Sequence, residues 1–235
     1  MTLNNQCVIL AGGLATRLRP ITDNIPKSMV PVGNKPFLEY QVELLRNMEV
    51  VDLILCVGHK SELIVDYFGD GSNFGVKISY SHEDILLGTG GALRNAANML
   101  EDRFFVLYGD AYLDVNYIEI ADYFNRMRYP ALLTVYKNEG QFDTSNVSFL
   151  NEESVLYDKH NPSKDMRFID YGLSIISKRI VEQYIASDVF YDLADCYRAL
   201  SLKNDLLGYE VKERFYEIGS KAGLQEFKEF IRGQR

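Results

Sequence analysis

The chain has 235 residues, 47% hydrophobic and 25% charged, with a formal net charge of −8. That is enough apolar material for one α/β domain with a sizeable core, and the acidic balance argues against a nucleic-acid or anionic-membrane surface. The widely spaced Cys7, Cys56 and Cys196 show neither zinc spacing nor a disulfide framework, and read as buried thiols of a reducing compartment. Met1 to Gln6 is polar and the apolar run after it is short, so no secretory leader is expected. No stretch approaches the ~18 apolar residues of a membrane span, and a cytoplasmic protein is the expectation.

In chain order, residues 7–11 carry a buried-strand pattern. Residues 12–36 are rich in Gly, Pro, Thr and Asn and read as a long loop. The stripe Phe37, Tyr40, Leu44, Met48 predicts an amphipathic helix over 37–48, with Pro36 at its start. A strand over 53–57 follows, then a helix to residue 68 that Ser61 can cap, ended by Gly69-Asp70-Gly71. Next come a strand over 76–80, a helix from the Gly88 to Gly91 cluster through 100, and a strand over 104–108 ending at Gly109-Asp110. A helix over about 118–127 is stopped by Pro130, and 131–136 is again a strand. The second half is less regular. Strands are expected over 147–150, 155–157, 168–176 and 207–211, and helices over 178–185, 193–200 and 224–231. This alternation predicts an α/β fold, a doubly wound, mostly parallel, Rossmann-like sheet in a single domain over 1–235.

The loop Gly12-Gly13-Leu14-Ala15-Thr16-Arg17-Leu18-Arg19-Pro20 directly follows the first strand. Ligands of open α/β sheets bind at the carboxyl ends of strands. Glycines let backbone N–H groups approach a polyphosphate, and an arginine such as Arg17 can clamp its oxygens with a planar fork of donors. Lys27 adds a second cation. The plain alternative is a surface loop with solvated Arg and Lys. The glycine spacing is not that of a dinucleotide-binding turn, which argues against an NAD-type oxidoreductase. The second glycine cluster, Gly88-Thr89-Gly90-Gly91, lies between a strand and a helix. A helix N-terminus there would offer free N–H groups to a ligand; a simple turn capped by Thr89 is the alternative.

The run Leu10 to Pro20 with Pro26-Lys27 resembles the signature of sugar-1-phosphate nucleotidyltransferases, and Pro31-Val32-Gly33-Asn34-Lys35-Pro36-Phe37-Leu38 resembles that family's next segment. The run from Ser81 to Ala92 is most similar to mannose- and heptose-phosphate guanylyltransferases and to short uridylyltransferases of amino-sugar phosphates. The ordered set of motifs spans most of the chain. The resemblance implies a nucleotide-binding part over about 1–137 and a smaller β-containing substrate lobe over about 138–220. It implies catalytic roles for Arg17 and Lys27 on the triphosphate. It also implies nucleotide contacts from Leu10, Gly12, Gly13, Thr16, Arg17, Glu83, Gly88 and Thr89, with a lean towards a purine.

The same resemblance assigns Mg²⁺ to Asp110, at the end of a strand, and to Glu217 in Phe215-Tyr216-Glu217-Ile218-Gly219-Ser220. It assigns the phosphorylated substrate, a sugar 1-phosphate, to Gly109, Asp158, Lys159, Asp170 and Gly172. The implied partners are a nucleoside triphosphate and this substrate, without nucleic acid or membrane; a homodimer is admitted. Three departures stand out. Ala15 replaces the usual Gly and restricts the backbone; Glu217 replaces Asp; and Asp170 replaces Asn, exchanging amide donors for an acceptor-only carboxylate. They motivate two alternatives: a cytidylyltransferase acting on a phosphate ester that is not a sugar, and a nucleotide-sensing homologue without catalysis.

Overall fold

A computed structural model describes residues 5–13, 16–151 and 153–234. The elements in chain order are β1 (Gln6–Leu10), β2 (Pro31–Val32), β3 (Lys35–Pro36), α1 (Phe37–Asn47), β4 (Asp52–Val57), α2 (Ser61–Phe68) and β5 (Lys77–His82). They continue with α3 (Gly88–Asn95), β6 (Arg103–Tyr108), β7 (Ala111–Tyr112), α4 (Tyr117–Arg126), β8 (Ala131–Lys137), β9 (Val147–Phe149) and β10 (Val155–Tyr157). The rest are β11 (Phe168–Ser177), α5 (Lys178–Tyr184), α6 (Leu193–Ser201), β12 (Leu206–Val211), β13 (Tyr216–Glu217) and α7 (Lys221–Gly233). No helix among the described residues is long and apolar enough to cross a membrane. The chain divides into two compact units. Unit A is built from Asn5–Leu86, Leu107–Asp114 and Arg214–Arg235; unit B comprises Leu87–Val106 and Val115–Glu213.

In unit A, β1, β4 and β5 are parallel, with Leu10 opposite Cys56 and Cys56 opposite Ser81. Cys7, Val8 and Ile9 and the run from Leu53 to Val57 are almost wholly buried, as expected of strands covered on both faces. Burial pushes the Cys7 and Cys56 thiols far up, so both are inert core residues. The apolar stripe of α1 joins a core with Phe227 at its centre, whose ring lies 5.0 Å from Phe37, 5.1 Å from Tyr112 and 5.6 Å from Tyr40. Burying a phenylalanine in this way contributes about 1.5–3 kcal/mol. Helix α7 starts earlier than its apolar pattern, because the Ser220 hydroxyl accepts the Gly223 N–H at 3.0 Å. Among its described residues, the expected loop over 12–36 contains three single 3₁₀ turns and the pair of two-residue strands β2 and β3.

In unit B the sheet is mixed. β12 runs parallel to β8, while β11 runs antiparallel to both β8 and β9. The register of β11 on β8 shifts between Asp170 and Ser174, a β-bulge centred on Tyr171, Gly172 and Leu173. Gly172 has φ +97° there, a conformation that an L side chain resists. The buried Thr134 hydroxyl donates to the Leu173 carbonyl at 2.6 Å, satisfying an acceptor at the bulge. Helix α3 is shorter than expected: it ends at Asn95, and a 3₁₀ turn over Ala97–Met99 completes the segment.

Candidate active site

The site residues of unit A lie past the carboxyl ends of its parallel strands. Gly109 donates its N–H to the Leu10 carbonyl at 3.0 Å. A β-carbon at Gly109 would lie 2.7 Å from that oxygen and 3.0 Å from Ala11 Cα, so the approach of the Gly109-Asp110 turn to the end of β1 demands glycine. Asp110 is held from two sides. Its carbonyl accepts the Ile218 N–H at 2.9 Å, and β7 pairs with β13, which sets Glu217 opposite Ala111. Neither two-residue strand has a sequence signature, since two residues carry no period.

These turns bring together four charged groups that are far apart in the chain. A β-carbon placed on Gly219 would lie 3.4 Å from Asp110 Oδ2, 3.7 Å from Arg17 Nη2 and 3.7 Å from Glu217 Oε1. Lys27 Nζ donates to Asp110 Oδ2, in an ion pair largely shielded from solvent. Lys27 opens a 3₁₀ turn after Pro26, whose fixed φ of −60° aims the chain into it. Glu83, donating its N–H to the Val57 carbonyl at 2.9 Å, carries its carboxylate to Gly12; a β-carbon there would meet Glu83 Oε1 at 2.6 Å. Gly13 is exposed, and a β-carbon on it would meet nothing within 4 Å. Thr16 opens the 3₁₀ turn that carries Arg17, and Ala15 lies outside the described residues.

Two acceptor-only carboxylates beside one point suit a hard cation that takes oxygen ligands and completes its shell with substrate phosphates, as Mg²⁺ does. Among the described residues no group of three or more His, Cys, Asp or Glu could form an all-protein metal cage.

Unit B holds the other site residues. Thr89 Oγ1 donates to Asp192 Oδ1 at 3.1 Å and accepts the Leu193 N–H at 2.9 Å. The Gly90 and Gly91 N–H groups donate to the Tyr191 carbonyl at 2.9 and 3.2 Å. This corrects the expectation of free amides at the start of α3: the two glycine amides are consumed by the 191–193 segment, and Thr89 joins that segment to the helix.

Lys159 Nζ donates to Asp192 Oδ2 at 2.8 Å. Burial works to raise the Asp192 pKa, but Lys159 and the Ala194 N–H outweigh it and hold the carboxyl below its ordinary value. Asp158 Oδ1 accepts the N–H groups of Asn161 and His160, and Oδ2 accepts Arg198 Nε at 2.9 Å. The Asn161 N–H first, and Arg198 after it, lower its pKa. Asp158 thus braces the turn that presents Lys159. Asp170, at the start of the bulge, accepts the Gly172 N–H at 2.9 Å. Burial pushes its pKa up to about 6; Gly172 and Lys159 pull against that, and Asp192 adds to it.

Two residues of these clusters are not in the sequence-derived set. Asp192, the N-cap of α6, was legible as an Asp immediately before the expected helix start at 193. Gln41 was legible as a polar residue at position i+4 from Phe37, on the apolar stripe of α1. Its side chain donates to Tyr108 O at 3.0 Å and Ala111 O at 2.6 Å.

The nucleotidyl transferase family model matches residues 6–141. The chain is 32% identical over 185 residues to a D-glycero-α-D-manno-heptose 1-phosphate guanylyltransferase of Campylobacter jejuni, covering 79% of this chain and 81% of that protein. It is 31% identical over 225 residues to a mannose-1-phosphate guanyltransferase of Yarrowia lipolytica, covering 94% of this chain but 57% of that longer protein. Among solved structures, HddC from Yersinia pseudotuberculosis complexed with GMP-PN has a TM-score of 0.75 at 26% identity, covering 96% of this chain and 99% of that one. With the family model matching more than half of the chain and the heptose-phosphate guanylyltransferase relative covered over most of its length, the chain belongs to the nucleotidyl transferase family.

Proposed function

We propose that the chain transfers a nucleotidyl group from a nucleoside triphosphate, with GTP favoured, to a sugar 1-phosphate, giving a nucleoside-diphosphate sugar and pyrophosphate. The observation that carries this reading is the convergence of Arg17, Lys27 and the Asp110 and Glu217 carboxylates beside Gly219. The lean to GTP is supported by the heptose-phosphate guanylyltransferase relative and by the GMP-PN complex of HddC. The work is assigned to the cytoplasm, on small soluble substrates, without nucleic acid or membrane.

In this mechanism a phosphate oxygen of the sugar phosphate attacks the α-phosphorus in line, and the bond to pyrophosphate breaks. The attacking phosphate is already anionic at neutral pH, so no protein group has to take its proton. Catalysis is positioning plus charge stabilisation. Arg17 and Lys27 hold the triphosphate and stabilise the charge that develops on the leaving pyrophosphate. Asp110 and Glu217 would hold Mg²⁺, which when bound supplies the positive charge that offsets repulsion between the two phosphates. Leu10, Gly12, Gly13, Thr16, Glu83, Gly88 and Thr89 form the nucleotide contacts. Lys159 leaves Asp192 to hold the attacking phosphate, and Gly109, Asp158, Asp170 and Gly172 shape the substrate side.

The test is pyrophosphate release with Mg²⁺ across ATP, GTP, CTP, UTP and dTTP against sugar 1-phosphates and phosphorylated amino alcohols. Release with GTP and a sugar 1-phosphate is the expected result; nucleotide binding without release from any pair would overturn the catalytic reading. A second reading keeps the chemistry and changes the acceptor, to cytidylyl transfer onto a phosphorylated amino alcohol. Asp170 and Asp192 favour it, because both carboxylates act on Lys159. Two anions beside one cation suit a substrate that carries an ammonium group as well as a phosphate. Release confined to CTP and the amino-alcohol row selects this reading.

A further inference from the structure

We infer that Gln41 is a positioning residue for the metal-binding carboxylate: its side-chain amide locks the turn that aims Asp110, and so sets the affinity of the site for a divalent cation. The inference rests on the assignment of Asp110 and Glu217 to Mg²⁺.

Gln41 sits in α1 with 1% of its surface exposed. Its Nε2 donates to the carbonyl of Tyr108, two residues before Asp110, and to the carbonyl of Ala111, the residue after it. One amide nitrogen therefore spans the turn and spends both its protons there. Its own oxygen, Oε1, is buried and accepts no hydrogen bond among the described residues. The opposite amide orientation would place Oε1 against two carbonyl oxygens, so the two acceptors dictate which way the group points. A buried acceptor without a partner carries a desolvation cost, and the two bonds donated by the same amide are what offsets it here.

The carbonyl of Asp110 is tied to Ile218 N–H, and Ala111 pairs with Glu217. The carbonyl at Ala111 that Gln41 holds therefore belongs to the residue lying opposite the second carboxylate. Through one side chain the rigid helix α1 fixes the frame from which both acids project. Partners of this outer kind orient the ligands of a metal and tune its affinity.

The test is a titration of Mn²⁺, read by electron paramagnetic resonance, into wild-type, Gln41→Met and Asp110→Ala proteins, each with a non-hydrolysable GTP analogue. Methionine keeps the length and apolar packing and removes both donors. The expected result is a Kd for Mn²⁺ raised about tenfold or more in Gln41→Met, the scale of losing an outer partner of a metal ligand. Turnover should also be largely restored by raising Mg²⁺. A purely structural role would lower the melting temperature and leave the Mn²⁺ Kd at the wild-type value, and that overturns the inference. If Gln41→Met does not fold, Gln41→Asn, whose shorter amide reaches one carbonyl at most, is read by the same criterion. Wild-type protein that binds Mn²⁺ no more tightly than Asp110→Ala removes the metal assignment itself. Weak binding by Asp110→Ala with wild-type binding by Gln41→Met removes only the role of Gln41.

Discussion

Unit A and unit B both gather charged side chains, but they hold them in different ways. In unit A the frame is backbone. Asp110 and Glu217 stand on turns tied by main-chain hydrogen bonds, and their carboxylates converge with the Arg17 guanidinium beside Gly219. In unit B the charges are partnered with one another: Lys159 with Asp192, Asp158 with Arg198 and His160 with Asp195. A rigid backbone frame limits the reorganisation that a ligand demands, which is where electrostatic catalysis draws its strength, although Lys27 and Asp110 are themselves paired and must part before either acts on a ligand. Charge already paired must exchange its partner when a ligand arrives, and contributes to binding only the difference between the two pairings.

The largest effect that this contrast predicts is in unit A. Lys27→Ala or Asp110→Ala lowers turnover by at least ~100-fold, the scale of losing one group that stabilises the transition state. It is measured as pyrophosphate release from protein whose circular dichroism matches wild type; near-normal turnover in either variant sinks the assignment. In unit B, Lys159→Ala is expected to raise KM for the phosphorylated acceptor about tenfold, the scale of one charge-assisted hydrogen bond offset by its existing pairing with Asp192. KM for the triphosphate stays near wild type, and steady-state kinetics with each substrate varied in turn separates the two.

Asp170 sharpens the comparison through pH. Its pKa in the folded chain is raised to about 6 by burial, from an ordinary value of 3.8. Between these values the folded state binds the proton and the unfolded state does not, so stability falls as pH rises from about 4 through about 6. Asp170→Asn removes this slope and should stabilise the chain more at pH 7.5 than at pH 4, by about 2 kcal/mol on the scale of 1.4 kcal/mol per pKa unit. Denaturant unfolding at the two pH values measures it, and equal effects at both would show that Asp170 does not titrate as described. The smallest expected effect is that of Asp192→Asn. Asparagine can keep Oδ1 for Thr89 and the Ala194 N–H while withdrawing the charge from Lys159. A change of two- to fivefold in acceptor KM, about 0.4–1 kcal/mol, is expected, with no loss of thermal stability; unfolding of the helix start would instead assign Asp192 to the fold alone.

Much of unit A was legible along the chain because its signals are local. Apolar runs marked β1 and β4, a 3.6-residue stripe marked α1, and the glycine-rich segment after β1 announced a ligand loop. Lys27 and Asp110 each follow punctuation that sequence displays, Pro26 and the end of β6. What stayed hidden depends on pairing over long separations. The match of β7 with β13 joins residues 111 and 217, and the bulge at Gly172 exists only as a register shift against β8. The glycine cluster of α3 reads locally as an open anion-binding helix start, yet its amides are taken by a segment about a hundred residues away.

The sequence by itself determined the α/β class, the family and the identity of the charged groups, because hydrophobic periodicity, turn residues and ordered motifs are properties of neighbouring positions. Tertiary structure alone decided which of those groups share a site and which are already spoken for. Distances between residues such as Arg17, Asp110 and Glu217, or the fork of Gln41 across the Asp110 turn, arise from packing and long-range hydrogen bonding, and no local propensity encodes them.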